Sequence, residues 1–150
     1  MRFVYNDGGR AEAGYKGDAG DCVVRAIAIA TDKHYRQVYE ELRHRIRLYK
    51  MRSRSKKAFN QGNTPRDGVL KEIYRPYIEN DLGWKWTQAM AIGSGCWVHL
   101  REDELPNGVV IVRLSKHIAT VVDGALHDTY DCSREGTRCV YGYWTKENVE

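Results

Sequence analysis

The sequence predicts an α+β fold, with helices first and an antiparallel sheet second. Three observations carry this prediction. A helical apolar period occurs only before Pro76, short β-type runs dominate after Gly83, and the turn pair Asp123-Gly124 sits between two of those runs. At 150 residues, 42% hydrophobic and 29% charged, the chain fits a single domain over residues 1–150. That length buries roughly 70% of the surface the unfolded chain exposes. Neither an internal repeat nor a linker interrupts it.

Residues 1–20 read as an irregular, Gly- and Asp-rich lead-in with a short strand over residues 2–5. Asp18 or Asp21 caps the helix that follows, CVVRAIAIAT. This helix is apolar on every side except at Arg25, so it belongs in the middle of the domain. Arg25 is expected to be an interior cation tied to a carboxylate or to carbonyls. A new cap at Thr31-Asp32 starts a second helix, whose stripe is Tyr35, Val38, Tyr39, Leu42, Ile46 and Tyr49. Residues 50–63 read as a basic loop. Thr64-Pro65-Arg66-Asp67 then signals a helix with Val69, Leu70, Ile73 and Tyr74 inside, ending near Tyr74 or Arg75 because Pro76 follows.

Beyond Gly83 the expected strands are residues 84–87, a short one over 97–100, 109–114 after the Asn107-Gly108 turn, 117–122, 125–130 and 140–144. With Asp123-Gly124 as a two-residue turn, Val122 pairs with Ala125 and Ala119 with Asp128. Side-chain alternation then puts His117, Ala119 and Val121 on one face with Leu126, Asp128 and Tyr130. Asp131 and His127 fall on the other face. A one-residue slip would exchange the faces and favour Asp131 as the neighbour of His117.

No apolar run reaches the roughly 18 residues of a membrane span, and the start MRFVYNDGGR lacks the apolar core of a signal peptide. The expectation is a cytoplasmic protein. In that reducing setting Cys22, Cys96, Cys132 and Cys139 are read as free thiols. Cys96, His99, Cys132 and Cys139 invite a zinc reading, but the Cys132–Cys139 spacing is wide and Cys96 and His99 fall on an expected strand rather than a knuckle; no metal and no cofactor is expected. The net charge of +4 hides an asymmetry. Residues 43–57, RHRIRLYKMRSRSKK, hold eight Lys or Arg and no acid, leaving 16 bases against 20 acids elsewhere.

Chemistry centres on Cys22. At the first turn of a buried helix, unpaired N–H groups and the helix dipole favour a thiolate. An imidazole on a facing strand supplies a base, and a carboxylate beside it fixes the ring. His117 and Asp128 fill those roles by register, and the Cys22 backbone N–H is one oxyanion donor.

The order Cys22, His117, acid resembles the papain-like cysteine peptidase superfamily. CVVRAIA, residues 22–28, is similar to the nucleophile segment of ovarian-tumour-type deubiquitinases, with Gly20, Asp21 and Arg25 matching in position. LPNGVVIVRLSKHIATVVDG, residues 105–124, resembles the segment around the catalytic His of bacteriocin-processing peptidases. GDCVVRAIAIAT also resembles strings in small phage proteins, which would place the chain in a host cytoplasm. The resemblance implies a papain-like fold and a Cys-His-Asp thiol hydrolase, a cysteine peptidase or isopeptidase acting on a protein or peptide, with acyl transfer as a variant of the same chemistry. Where papain-like enzymes place an oxyanion Gln, six residues before the nucleophile, this chain has Lys16. Lys16 and Asn6 are therefore the candidate side-chain donors. The alternative expectation is a non-catalytic binding protein of the same fold. It would use Arg43, Arg45, Arg47, Lys50, Arg52 and Arg54 against nucleic acid or an acidic host protein.

Overall fold

The computed structural model describes residues 1–17, 19–91 and 93–146. Asp18, one of the two expected caps, lies outside the described residues. The fold is α+β, with four α-helices and a six-stranded sheet. Strand β1 (Arg2–Tyr5) precedes helices α1 (Cys22–Thr31), α2 (Tyr35–Arg52), α3 (Lys56–Asn60) and α4 (Lys71–Pro76). Strands β2 (Trp84–Gln88), β3 (Val109–Leu114), β4 (His117–Val122), β5 (Ala125–Asp128) and β6 (Gly142–Lys146) follow. Their order across the sheet is β1-β5-β4-β3-β6-β2.

Two expectations about the sheet are corrected. It is mixed rather than antiparallel, because β1 runs parallel to β5 in the register Arg2↔Ala125 to Tyr5↔Asp128. The N-terminal strand thereby covers the edge that β5 would otherwise leave open. Residues 97–100 form only an isolated bridge, His99↔Cys139. The hairpin register is the expected one, with Val122↔Ala125, Val121↔Leu126 and Thr120↔His127.

Helix α1 lies across the sheet with Val23, Val24, Arg25, Ala26, Ile27 and Ala28 consecutively buried. Thr120 Oγ1 on β4 donates to the Ala26 carbonyl at 2.7 Å, fixing the helix against the central strand. Gly8, at φ +71°, lets the lead-in run against α1; a Cβ there would stand 3.2 Å from the Arg25 carbonyl oxygen. On the other face of the sheet a second core forms around Val110, Val112, Leu114, Val121 and Leu126, closed by Leu100, Cys132 and Val140 from the loops.

The helical boundaries differ from expectation for local reasons. Asp32 ends α1 in the left-handed conformation, and His34 caps α2 by accepting from the Arg36 N–H. The expected loop over residues 50–63 contains α3, capped by the Ser55 hydroxyl on the Ala58 N–H. At Thr64 only a 3₁₀ turn forms, Pro65–Asp67, because Gly68 at φ +113° leaves the helical region. The continuous helix starts at Lys71. Pro76 does not stop it; the chain widens into a π turn, Tyr77–Asp81, in which the Leu82 N–H reaches the Tyr77 carbonyl at 2.9 Å.

The expectation of four free thiols is also corrected. Cys96 and Cys139, 43 residues apart, are joined as a disulfide with Cα atoms 5.7 Å apart. The His99↔Cys139 bridge brings the two segments alongside each other. Cys22 and Cys132 are the free cysteines. Among the described residues no helix is long and apolar enough to cross a membrane.

Candidate active site

Cys22 opens α1, His117 opens β4 and Asp128 closes β5. The fold brings these three positions to one end of the sheet because α1 packs along β4, and the hairpin sets Asp128 diagonally from His117. His117 Nε2 lies 2.6 Å from Asp128 Oδ2, with the two side chains only 7% and 4% exposed. Asp131, the carboxylate that a slipped register would favour, instead accepts from the Ser133 N–H and hydroxyl at 3.0 and 2.6 Å.

Burial is the largest single influence on His117 and opposes a charge, but the hydrogen bond to Asp128 and the Cys132 and Cys22 side chains together outweigh it. The ring's pKa is pushed up to about 12. Burial likewise opposes charge on Asp128, and the imidazolium bond reverses this, assisted by the Thr129 N–H and the Arg25 charge. The carboxyl is held below its usual range. The pair is therefore an imidazolium and a carboxylate at neutral pH. Tyr130, half exposed, lies over the imidazole with ring centroids 5.4 Å apart.

Arg25 explains the polar position in an otherwise apolar helix. Its guanidinium bonds Asp21 and reaches Asp128 Oδ1 at 3.4 Å, so it ties the loop before Cys22 to the strand behind His117. Asp21 occupies the cap position of α1 yet makes no side-chain cap bond. It is 1% exposed and receives Arg25, the Tyr35 hydroxyl at 2.5 Å and Arg10 Nε at 3.2 Å. The start of α1 thus keeps its N–H groups free of a side-chain acceptor, with Cys22 half-buried at the surface of a cleft of about 780 Å³. Ala19, Gly20, Val69, Tyr74, Arg113 and His117 line the same cleft.

The two candidate oxyanion side chains are placed elsewhere. The Asn6 amide lies 3.1 Å from His127 Nδ1, its oxygen accepts from the Gly8 N–H at 2.9 Å, and its own N–H reaches the Asp128 carbonyl. Asn6 therefore pins β1 to β5. Lys16 is exposed and does not line the cleft; its carbonyl receives Arg10 and Arg66. The Cys22 N–H remains the donor that the fold sets at the site.

Sequence reasoning did not place Cys132 beside His117 and Asp128. Its thiol is buried and lies 3.6 Å from Asp128 Oδ2. His117, Asp128 and Cys132 offer ligand atoms within 4.8 Å of one another. A tetrahedral ion with bonds of about 2.0 Å separates its N and O ligands by about 3.3 Å. Metal binding there would therefore spread the 2.6 Å His117–Asp128 contact. The signal available in the sequence is a cysteine four residues past Asp128, beyond a turn.

The basic segment divides. Arg45 is committed to Glu41 and Asp81, and Lys50 holds the Gln61 carbonyl and Asn63. Arg47, Arg52 and Arg54 are exposed, as is Arg43, which has a loose contact to Glu40 at 3.7 Å. Arg43, Arg47 and Lys50 line a groove of about 530 Å³ on α2.

No protein-family model, no curated protein and no solved structure matches this chain.

Proposed function

We propose that the protein is a thiol hydrolase of papain-like architecture, acting on an amide or isopeptide bond. One observation carries the reading: Cys22 and His117 line one cleft, and the Asp128 carboxylate holds the His117 ring at 2.6 Å. With Nε2 committed to Asp128, Nδ1 is the ring nitrogen left to exchange a proton with Cys22. The Cys22 proton resides on His117, and the thiolate sulfur attacks the substrate carbonyl carbon. The oxyanion forms against the Cys22 N–H. As the C–N bond breaks, His117 gives its proton to the leaving amine, and a thioester remains on Cys22. Water, or an acceptor amine in a transfer reaction, then attacks with His117 taking its proton, and Cys22 is released. Asp128 orients the ring and stabilises its charged form.

The test is selective alkylation. Low iodoacetamide at near-neutral pH should label Cys22 well ahead of buried Cys132, and His117→Ala should slow the Cys22 reaction by about tenfold or more. Negligible labelling of Cys22, or a rate indifferent to His117, would sink the mechanism. A second reading is favoured by the exposed guanidiniums of Arg43, Arg47, Arg52 and Arg54: a binding protein that grips a polyanion. Cys22→Ser would then leave function intact, while charge reversal at Arg43 and Arg47 would remove it.

A further inference from the structure

Partly or fully buried guanidiniums elsewhere in the fold have acceptors. Arg25 has Asp21 and Asp128, Arg45 has Glu41 and Asp81, Arg75 has Glu79, and Arg138 has the Cys132 and Ser115 carbonyls. Arg113 is the contrast. It is half-buried on β3 and lines the cleft that holds Cys22 and His117. Its carbonyl accepts from the Tyr141 N–H at 2.9 Å, but among the described residues no hydrogen bond or ion pair engages its side chain. Strand alternation puts it on the face of Ile111, the face that packs against the helices, one strand from Ile118 and beside Gly142. Its charge is felt by the Tyr74 phenol, which also feels Cys22. A guanidinium that faces a cleft without a protein acceptor can receive a planar anion, since its fork matches a carboxylate bidentately. Of the two acids that line the cleft, Asp67 and Glu72, Glu72 is already taken by Lys57 at 3.1 Å. Two further cations, Lys71 and Lys116, stand exposed at the rim.

We propose that Arg113 is the specificity determinant of this cleft, receiving a carboxylate of the peptide substrate close to the scissile carbonyl. The proposal rests on Cys22 being the nucleophile. The carboxylate comes either from an acidic side chain or from a free chain terminus.

The experiment compares two alkylating agents that differ in charge. In the intact protein, the rate of Cys22 labelling by anionic iodoacetate is divided by the rate with neutral iodoacetamide. Arg113→Gln should lower this ratio about threefold to tenfold, Arg113→Lys should largely keep it, and Lys116→Gln at the exposed rim should move it less. An unchanged ratio in Arg113→Gln overturns the proposal while leaving the nucleophile reading intact. Failure of Cys22 to react with iodoacetamide in the parent protein overturns the nucleophile reading itself, and this proposal with it. The source is distinguished by protection of Cys22 from iodoacetamide with two peptides. Ala-Glu-Ala capped at both ends protects if a side chain is read; Ala-Gln-Ala with a free carboxyl terminus protects if a terminus is read. Protection by neither, or protection unaltered in Arg113→Gln, overturns the assignment.

Discussion

Asp128→Asn should remove a pH dependence of stability that belongs to one hydrogen bond. His117 titrates near 6.5 in the unfolded chain and is pushed up to about 12 in the folded one. Between those values the native state holds a proton that the unfolded state has released. Stability is therefore fully present below about pH 6.5 and falls as pH rises, by about 1.4 kcal/mol per unit. In a Cys22→Ala background, which removes the thiol that shares the cleft with the ring, going from about pH 7 to about pH 8.5 should cost about 2 kcal/mol. The ring is only 7% exposed, so solvent screening takes little away. Burial pushes the Tyr35, Tyr74 and Tyr77 phenols upward, which places their titration above this window. With Asp128→Asn added, burial is left as the main influence on the ring, which is then neutral in both states. The slope should vanish. Urea unfolding followed by the fluorescence of buried Trp84 and Trp144 reads the difference directly. A flat profile in the Cys22→Ala parent, or equal slopes with and without Asp128, would refute the ion pair.

Arg25→Met should destabilise the fold by about 3–5 kcal/mol, because Asp21 and Asp128 lose the buried cation between them; a loss below about 1 kcal/mol in denaturant titration would contradict this. Gly142→Ala should lower the melting temperature. An added Cβ would run into the Trp86 ring and stand 2.9 Å from the Thr87 carbonyl oxygen, an overpacking cost of about 1–3 kcal/mol. Reducing Cys96–Cys139 opens a loop of 43 residues, worth about 4 kcal/mol of chain entropy; thiol titration of the denatured, unreduced protein should find Cys22 and Cys132 alone, and finding all four cysteines reactive would disprove the pairing.

Patterned surfaces made the fold legible in the sequence. The stripe on α2 is the buried face, with Tyr35, Val38, Leu42 and Ile46 inside. The Asp-Gly turn set the hairpin register, and from it the diagonal of His117 and Asp128. What the sequence hid depends on partners far along the chain. Asp21 carries the residue type and position of a cap, but the cation and hydroxyl that claim it come from Arg25, Arg10 and Tyr35. Pro76 reads as a terminator because local rules do not register that a π turn can absorb its missing donor. β1 looks isolated until β5 is folded beside it. The chemical part of the site was legible for the same reason as the hairpin, since His117 and Asp128 sit on regular strands. Arg113 was not, because an unpaired charge is recognised only once every neighbour has been placed.

Asp21, spent on the interior instead of on the helix end, has a further consequence. Arg10, Asp21, Arg25, Asp128 and His117 form an alternating row of charges, positive at both ends, running from the surface loop to the imidazole. Five members give the row one uncancelled positive charge. The row is complete only when the lead-in loop, the central helix and the hairpin are all in place, so a single line of charges ties together three segments that lie far apart in the sequence.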